Sequence, residues 1–369
     1  MRERKKKTVM LTLTESCNLN CTYCYEKNKS LKSMDFQKAV DILEKELNLD
    51  DGYDECEIQF FGGEPFVKFD LLKGICEYLW GKKWKKQYIC FATTNGTLIH
   101  GEIKKWLLDN SKRFTCGLSL DGIKKAHDLN RSNSFDNIDI DFFRHTWPKQ
   151  YIKMTISPES LPFLYESAIF FHNQGFTFDN NLAYGVDWNR PELMKIMEKQ
   201  LKLLADYYIE HPDVKPCRLL GLSIENINID KHIDRWCGAG AGLKSYDVEG
   251  VLYPCQMFTP LSIEKDKSDK SFGLDFSASK TEDPRCASCK IYNVCPTCYG
   301  HNYSATGDIA KRDEVLCKYT KISILATSYL WANRILKYSY KQLKISELRY
   351  VQLSKAIVKI QEAFSEMRE

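Results

Sequence analysis

Six times before residue 212 the chain passes from a short apolar or β-branched run to an amphipathic or polar stretch, at a spacing of about thirty residues. The runs are VMLTLT (9–14), CEIQFF (56–61), YICFATT (88–94), FTCGLSL (114–120), YIKMTI (151–156) and FTFDNNLA (176–183). Between them, Phe36, Val40, Leu43 and Leu47 share one helical face, and Leu71, Leu72, Ile75 and Leu79 share another. Further helices are expected over about 102–110, over 161–175 closed by Gly175, and over 191–211 with Pro191 in its first turn. Residues 133–149 are polar and only weakly periodic. Strand and helix in strict alternation imply parallel strands joined by right-handed crossovers, and six strands are too few to close an eight-stranded barrel. The expected fold class is therefore α/β, a partial (β/α)6 barrel. The motifs ESCNLNCTYCYE, GGEP, TTNG, SLDG and ISPES each follow a run. They fall where parallel α/β folds build their sites, at the C-terminal strand ends.

The first motif carries Cys17, Cys21 and Cys24 in a CxxxCxxC spacing. Three thiolates that close can hold three corners of a [4Fe-4S] cluster and leave the fourth iron without a protein ligand. A zinc knuckle or a disulfide pair are the alternatives. Fifteen cysteines in 369 residues would suggest disulfides in a small secreted protein, but here three lie near the start and seven between Cys237 and Cys317. In a reducing cytosol that clustering means metal, and a cytoplasmic location is expected. Cys56, Cys76, Cys90, Cys116 and Cys217 are expected to be buried apolar residues.

Other classes are excluded by composition. A formal charge of +4 with acidic and basic residues interspersed gives no basic face for nucleic acid. The apolar stretch after the basic start RERKKK is too short for a secretory signal, and no run reaches membrane-spanning length, so no membrane partner is expected.

The cysteine loop, with aromatic Tyr23 before the third cysteine, resembles the signature of the radical S-adenosylmethionine (radical SAM) enzymes. The resemblance implies that Cys17, Cys21 and Cys24 bind the [4Fe-4S] cluster. It also implies that Gly62, Gly63, Glu64 and Pro65 meet the amino end of the SAM methionine, with Glu64 helping to neutralise the ammonium. Asn95, in TTNG, and Ser119 and Arg131, in SLDG followed by HDLNR, would complete the cofactor site. Ser119 and Arg131 would hold the carboxylate, the arginine by a two-pronged salt bridge. By composition alone these are ordinary turns and a surface arginine.

Downstream, Cys237, Gly250 and Cys255 give C-x12-G-x4-C, and Cys286, Cys289, Cys295, Cys298 and Cys317 follow as C-x2-C-x5-C-x2-C and a late single cysteine. The lone CxxC pairs would fit a zinc ribbon. The order of seven is similar to the SPASM domain, a C-terminal extension of radical SAM enzymes that binds two auxiliary [4Fe-4S] clusters. The interval CPTC departs from the usual three glycine-rich residues. By resemblance, Cys286, Cys289, Cys295 and Cys317 hold the second auxiliary cluster, and Cys237, Cys255 and Cys298 hold the first. The first cluster is then one ligand short. Cys217, an open iron for a substrate thiolate, or Asp230, His232 or Asp234 are the candidates for the fourth.

The expected organisation is a radical SAM barrel over 1–214, an auxiliary-cluster domain over 215–318 and a helical extension over 319–369. In the extension, Leu353, Ile357, Ile360 and Phe364 lie on one face and are expected to pack against the body. The resemblance implies three [4Fe-4S] clusters, SAM, a peptide precursor as substrate, and an electron donor such as flavodoxin or ferredoxin. A 5′-deoxyadenosyl radical would remove hydrogen from a peptide residue, leading to a thioether or carbon–carbon link. Sixteen residues precede Cys17, so no leader-binding domain is expected in front of the barrel, and a separate leader-binding protein or the barrel itself would recruit the precursor. One alternative is the anaerobic sulfatase-maturing branch, which makes formylglycine and places a carboxylate base just after the position of Cys255. Gln256 and Met257 stand there, and an amide cannot take that proton. The alternative of another class is a non-catalytic iron–sulfur or zinc module, against which the GGEP loop argues.

Overall fold

In the computed structural model, which describes residues 5–230, 237–277 and 283–366, the strand and helix alternation is realised. Strands β1 (Lys6–Thr14), β2 (Glu55–Gly62), β3 (Gln87–Thr94) and β4 (Phe114–Leu118) pair in parallel in the order β4-β3-β2-β1. Helices α1 (Phe36–Asn48), α2 (Phe69–Trp80) and α3 (Gly101–Asp109) form the crossovers. Each strand is short, and inward residues such as Val9, Leu11, Leu13, Ile58 and Phe60 are fully buried. Helix α1 buries Val40, Leu43 and Leu47, whereas Phe36 of the same stripe remains 39% exposed, at the helix start. Asp35 caps α1, its carboxylate accepting from the Lys38 N–H at 3.0 Å.

The chain continues through α4 (Lys124–Asn130), α5 (Ile140–Thr146), β5 (Ile152–Ile156), α6 (Leu164–Asn173), β6 (Phe178–Leu182) and α7 (Pro191–Glu210). The weakly periodic segment at 133–149 holds α5 after a single 3-10 turn, and it buries Phe142, Phe143 and Trp147. Gly175 closes α6 at φ 75°, a left-handed position where a side chain would be strained. β5 and β6 form a two-stranded sheet, and a single parallel bridge joins Ser119, after β4, to Lys153.

One part of the sheet was not legible in the sequence. β7 (Leu243–Tyr246) adds to the free edge of β1 in parallel, and β8 (Leu252–Tyr253) turns back antiparallel on it. Gly250 sits in that turn at φ 79°, with the Asp247 carboxylate accepting from the Glu249 and Val251 N–H groups at 2.9 Å each. The glycine of the C-x12-G-x4-C pattern therefore serves a hairpin. Strand β7 is tied in by a buried ionic cluster. Lys7 Nζ lies 2.5 Å from Glu46 and 2.6 Å from Asp51, Lys244 lies 2.8 Å from Glu46, and the Tyr246 hydroxyl donates to Glu46 at 2.7 Å.

Two compact units result. The first contains residues 1–120, 127–153 and 237–276, and the second contains 121–126, 154–236 and 277–369. The stretch 215–318, expected as one auxiliary-cluster domain, is shared between them. In the second unit, α8 having ended at Lys270 in the first (Lys265–Lys270), the chain forms α9 (Tyr299–Thr306), α10 (Glu314–Lys337) and α11 (Glu347–Glu366). Leu353, Ile357 and Ile360 of α11 are buried in a cluster with Ile224, Ile324 and Trp331, as the one-faced pattern predicted. Arg334 of α10 caps the end of α7, donating to the Tyr208 carbonyl at 2.7 and 3.0 Å. Among the described residues no helix is long and apolar enough to cross a membrane.

Candidate metal centre

Strand β1 ends at Thr14, and the cysteine loop springs from it under restraint. The Thr14 hydroxyl accepts from the Ser16 N–H at 3.1 Å, and the carbonyls of Thr14 and Ser16 accept from the N–H groups of Gly63 and Glu64 at 3.1 and 3.0 Å. The reason for two glycines at the end of β2 is then visible. A Cβ on Gly62 would lie 2.1 Å from the Thr14 oxygen, and one on Gly63 would lie 2.4 Å from the Ser16 oxygen and 2.9 Å from Cys17 Cβ. In the structure these glycines admit the cysteine loop.

Two further segments hold the loop. Thr22 N–H donates to Asn130 O at 2.9 Å and Asn20 N–H to Ser132 Oγ at 3.0 Å. Ser132 and its neighbour Asn133 both sit at positive φ, 55° and 53°, a cost accepted where tertiary contacts over-determine the backbone. On the other flank, Asn28 donates through its backbone to Leu261 O and through its amide to Pro260 O and Ile263 O.

The three thiols lie within electrostatic reach of one another and of the Lys29 ammonium. Burial pushes the Cys17 thiol up to about 11 and raises Cys24, while Lys29 acts in the opposite direction on both. A cation beside three half-buried thiols suits a group that arrives with thiolate ligands.

The residues expected to meet SAM gather at the same place. Asn95 donates to Asn18 Oδ1 at 2.9 Å, and Asn18 donates to Thr97 at 2.7 Å, so TTNG latches directly onto the cysteine loop. Arg131 is buried at 7% exposure, with its guanidinium 5.4 Å from the Tyr23 ring and its charge felt at Glu64. It is not the surface arginine that composition alone would suggest. The Glu64 carboxylate accepts from Thr94 Oγ1 at 2.8 Å, Asn95 N–H at 2.8 Å and Phe66 N–H at 3.2 Å. It is thus spent largely on joining β2 to β3, and burial raises it to about 7 despite those bonds. Pro65, buried, opens the 3-10 turn that follows. Ser119 N–H donates to Thr94 O at 2.9 Å, which fixes its place at the end of β4.

Sequence reasoning missed Glu26. It is 6% exposed, its Oε1 has no hydrogen-bond partner among the described residues, and burial pushes it up to about 8 with Lys29 opposing and Glu64 adding to the rise. A buried acceptor with an unused oxygen, close to a second buried carboxylate, fits a cationic ligand such as SAM. Beside it, the Tyr25 phenol is raised well above its ordinary value, chiefly by burial, and Cys255 and Gln256 both act on it.

In the second unit the late cysteines form their own group. Cys286 and Cys295 each lie within electrostatic reach of Cys289 and Cys317, and Cys295 also of Cys286. Cys286 is held by its N–H to Asp283 O at 2.8 Å, and Cys317 lies in the first turn of α10, whose cap is Asp313. His301 braces that cap, with Nε2 3.0 Å from Asp313 Oδ2 and its ring stacked 4.4 Å from Tyr184. Cys298 caps α9 and lines one cavity with Cys295, His301, Arg312 and Cys317. Cys237, exposed, and Cys255, buried, belong to the first unit. Among the described residues no three His, Cys, Asp or Glu side chains close on a point as a single bound ion requires. The cysteine groups are neighbours at the longer range over which their charges interact.

Cys56, Cys76, Cys90, Cys116 and Cys217 are all buried, as expected. Cys217 lies in the core of the second unit, its N–H donating to the Tyr208 hydroxyl at 3.2 Å, and burial raises its thiol. Of the other fourth-ligand candidates, Asp230 is exposed, and His232 and Asp234 lie outside the described residues.

Residues 7–130 match the profile of the 4Fe-4S single cluster domain. The chain is 22% identical over 358 residues to the radical SAM cyclopropyl synthase TigE of Paramaledivibacter caminithermalis, covering 86% of this chain and 73% of that protein. It is 22% identical over 352 residues to the cysteine-type anaerobic sulfatase-maturating enzyme of Clostridium novyi, covering 84% and 91%. By these relationships the chain is similar to radical SAM maturases of peptides and proteins. Solved structures share the fold of this chain. Native anSMEcpe with bound AdoMet superposes with a TM-score of 0.66 at 20% identity, over 89% of this chain and 98% of that one. Streptococcus suis SuiB bound to its precursor peptide SuiA gives 0.59 at 18% identity, over 84% and 76%.

Proposed function

We propose that this enzyme is a maturase of ribosomally made peptides that uses SAM and three [4Fe-4S] clusters to install a thioether or carbon–carbon link. The clusters are assigned to Cys17, Cys21 and Cys24, to Cys286, Cys289, Cys295 and Cys317, and to Cys237, Cys255 and Cys298. When bound, the first cluster and SAM supply a 5′-deoxyadenosyl radical that removes a hydrogen atom from a substrate carbon. The chain's own residues bind and orient. Arg131 would take the methionine carboxylate, the backbone of Gly62 to Pro65 would meet its amino end, and Glu26 would offer its carboxylate to the cationic part of the cofactor.

The observation that carries the crosslinking reading is Gln256, an amide beside Tyr25 and next to Cys255, where formylglycine chemistry calls for a carboxylate base. TigE, related over most of its length, is named a cyclopropyl synthase, and SuiB is bound to a precursor peptide in its structure. Formylglycine formation is the second reading, favoured by the near full-length relationship to the Clostridium novyi sulfatase-maturating enzyme. A low-potential electron donor such as flavodoxin or ferredoxin, and a separate leader-binding protein, complete the proposed system.

The test is anaerobic reconstitution followed by iron, 5′-deoxyadenosine and product assays. About twelve iron per chain is expected for three four-iron clusters. Replacing Cys17, Cys21 and Cys24 together with Ala should remove one cluster and all 5′-deoxyadenosine, and continued formation would overturn the cluster assignment. A sulfatase peptide converted to formylglycine, with no crosslink made in Cys-containing precursors, would overturn the crosslinking reading.

A further inference from the structure

A buried cation stands beside the cysteines of the 286/289/295/317 group. Arg312 is 9% exposed, and its Nη1 donates to Cys295 Sγ and to the Cys295 carbonyl, each at 3.0 Å. Its charge also reaches Cys286 and Cys317. The guanidinium lies 4.9 Å from the Tyr292 ring, which fixes its plane. The backbone on either side is anchored separately. Arg312 N–H donates to Asp283 Oδ2 at 2.8 Å, and Arg312 O accepts from Arg285 Nη2 at 2.7 Å. Arg285 also binds Asp283, at 2.7 Å, and so neutralises that carboxylate locally. The Arg312 side chain thus places a charge-assisted hydrogen bond on Cys295 Sγ.

We propose that Arg312 sets the reduction potential of the auxiliary cluster in this unit, raising it by a hydrogen bond to one ligand sulfur and by a fixed positive charge. The proposal rests on the reading that Cys286, Cys289, Cys295 and Cys317 hold a cluster. One-electron reduction adds a negative charge to the cluster. A buried cation and an N–H···S bond stabilise the reduced state more than the oxidised one, and hydrogen bonds to sulfur and local net charge are what tune such potentials. Nothing in the cysteine spacing marks this residue, because it lies five positions before Cys317 in a loop with no motif.

The experiment is a potentiometric titration, followed by electron paramagnetic resonance, of the reconstituted full chain and of Arg312→Gln and Arg312→Lys. Arg312→Gln should keep its iron while the reduced-to-oxidised ratio of one cluster, at fixed potential, falls at least tenfold, a shift of about 59 mV downward. Arg312→Lys, which keeps the charge and loses the planar fork, should fall between. Equal midpoints in all three proteins would overturn the proposal. Loss of about four iron from both variants would also overturn it, since Arg312 would then build the site rather than tune it. A Cys286→Ala/Cys289→Ala variant separates the two layers of the argument. If it retains every cluster signal, the cluster assignment beneath the proposal fails. If it loses one signal while Arg312→Gln shifts none, only the role of Arg312 fails.

Discussion

A single methyl group at Gly63 tests whether the end of β2 is built to receive the cysteine loop. In Gly63→Ala the new Cβ would stand 2.4 Å from the Ser16 oxygen and 2.6 Å from its carbonyl carbon. Both are backbone atoms, and the approach is about 1 Å closer than ordinary contact allows. Neither side yields freely, because the Gly63 and Glu64 N–H groups bind Thr14 O and Ser16 O at 3.1 and 3.0 Å. Relieving the clash must therefore strain β1 and β2 or give up the Glu64 to Ser16 bond. Overpacking of this kind costs about 1–3 kcal/mol and the lost hydrogen bond about 1 more, so about 2–4 kcal/mol is expected. In urea that moves the unfolding midpoint of the apoprotein down by roughly 1 M or more. Reconstituted Gly63→Ala should also lose the iron of the Cys17 cluster, because the displaced atoms adjoin that ligand. Gly74→Ala is the control. Its Cβ meets only Phe36 Cε2 at 3.4 Å, and in a helix interior the change should be neutral or stabilise by about 0.5–1 kcal/mol. An unchanged midpoint with full iron in Gly63→Ala would refute the close-approach argument.

Glu46→Gln should destabilise the apoprotein by about 3 kcal/mol in denaturant melts, because it strips charge from a carboxylate paired with fully buried Lys7 and with Lys244; a change under about 0.5 kcal/mol would show that the cluster does not hold strand β7. Burial alone would raise the Asp51 carboxyl, but hydrogen bonds from Lys7 and Lys86 outweigh it and bring it down to about 2. With the folded value below the ordinary one of about 3.9, its contribution is fully present above that pH and is lost as pH falls toward 2. The stability gap between wild type and Asp51→Asn should accordingly be flat from neutral to about pH 5 and shrink below it, and a gap that widens in acid would contradict the pairing. Arg131→Ala should weaken SAM binding at least tenfold by calorimetry, about 1.4 kcal/mol, with Arg131→Lys recovering only part; equal affinities would remove Arg131 from the cofactor site.

Much of this protein is legible in its sequence. The period of strand and helix dictates parallel pairing, so β1 to β4 and their crossovers follow from apolar spacing alone, and the motifs fall at strand ends because chain direction is uniform in such a sheet. Cysteine spacing marks out the late group, and in the second unit Cys295 lies within electrostatic reach of Cys286, Cys289 and Cys317. What tertiary structure decided is which distant segments meet. Strand β7 is four residues long, too short to carry a period, and it is recruited by Lys244 and Tyr246 reaching Glu46 some two hundred residues earlier. Gly63 is small because of Ser16, Arg131 is buried because left-handed Ser132 and Asn133 turn its segment under the cysteine loop, and Glu26 and Arg312 gain their character only from what surrounds them. A residue's type and spacing are local, whereas burial and charge environment are sums over neighbours brought from far along the chain, and only the folded structure performs that sum.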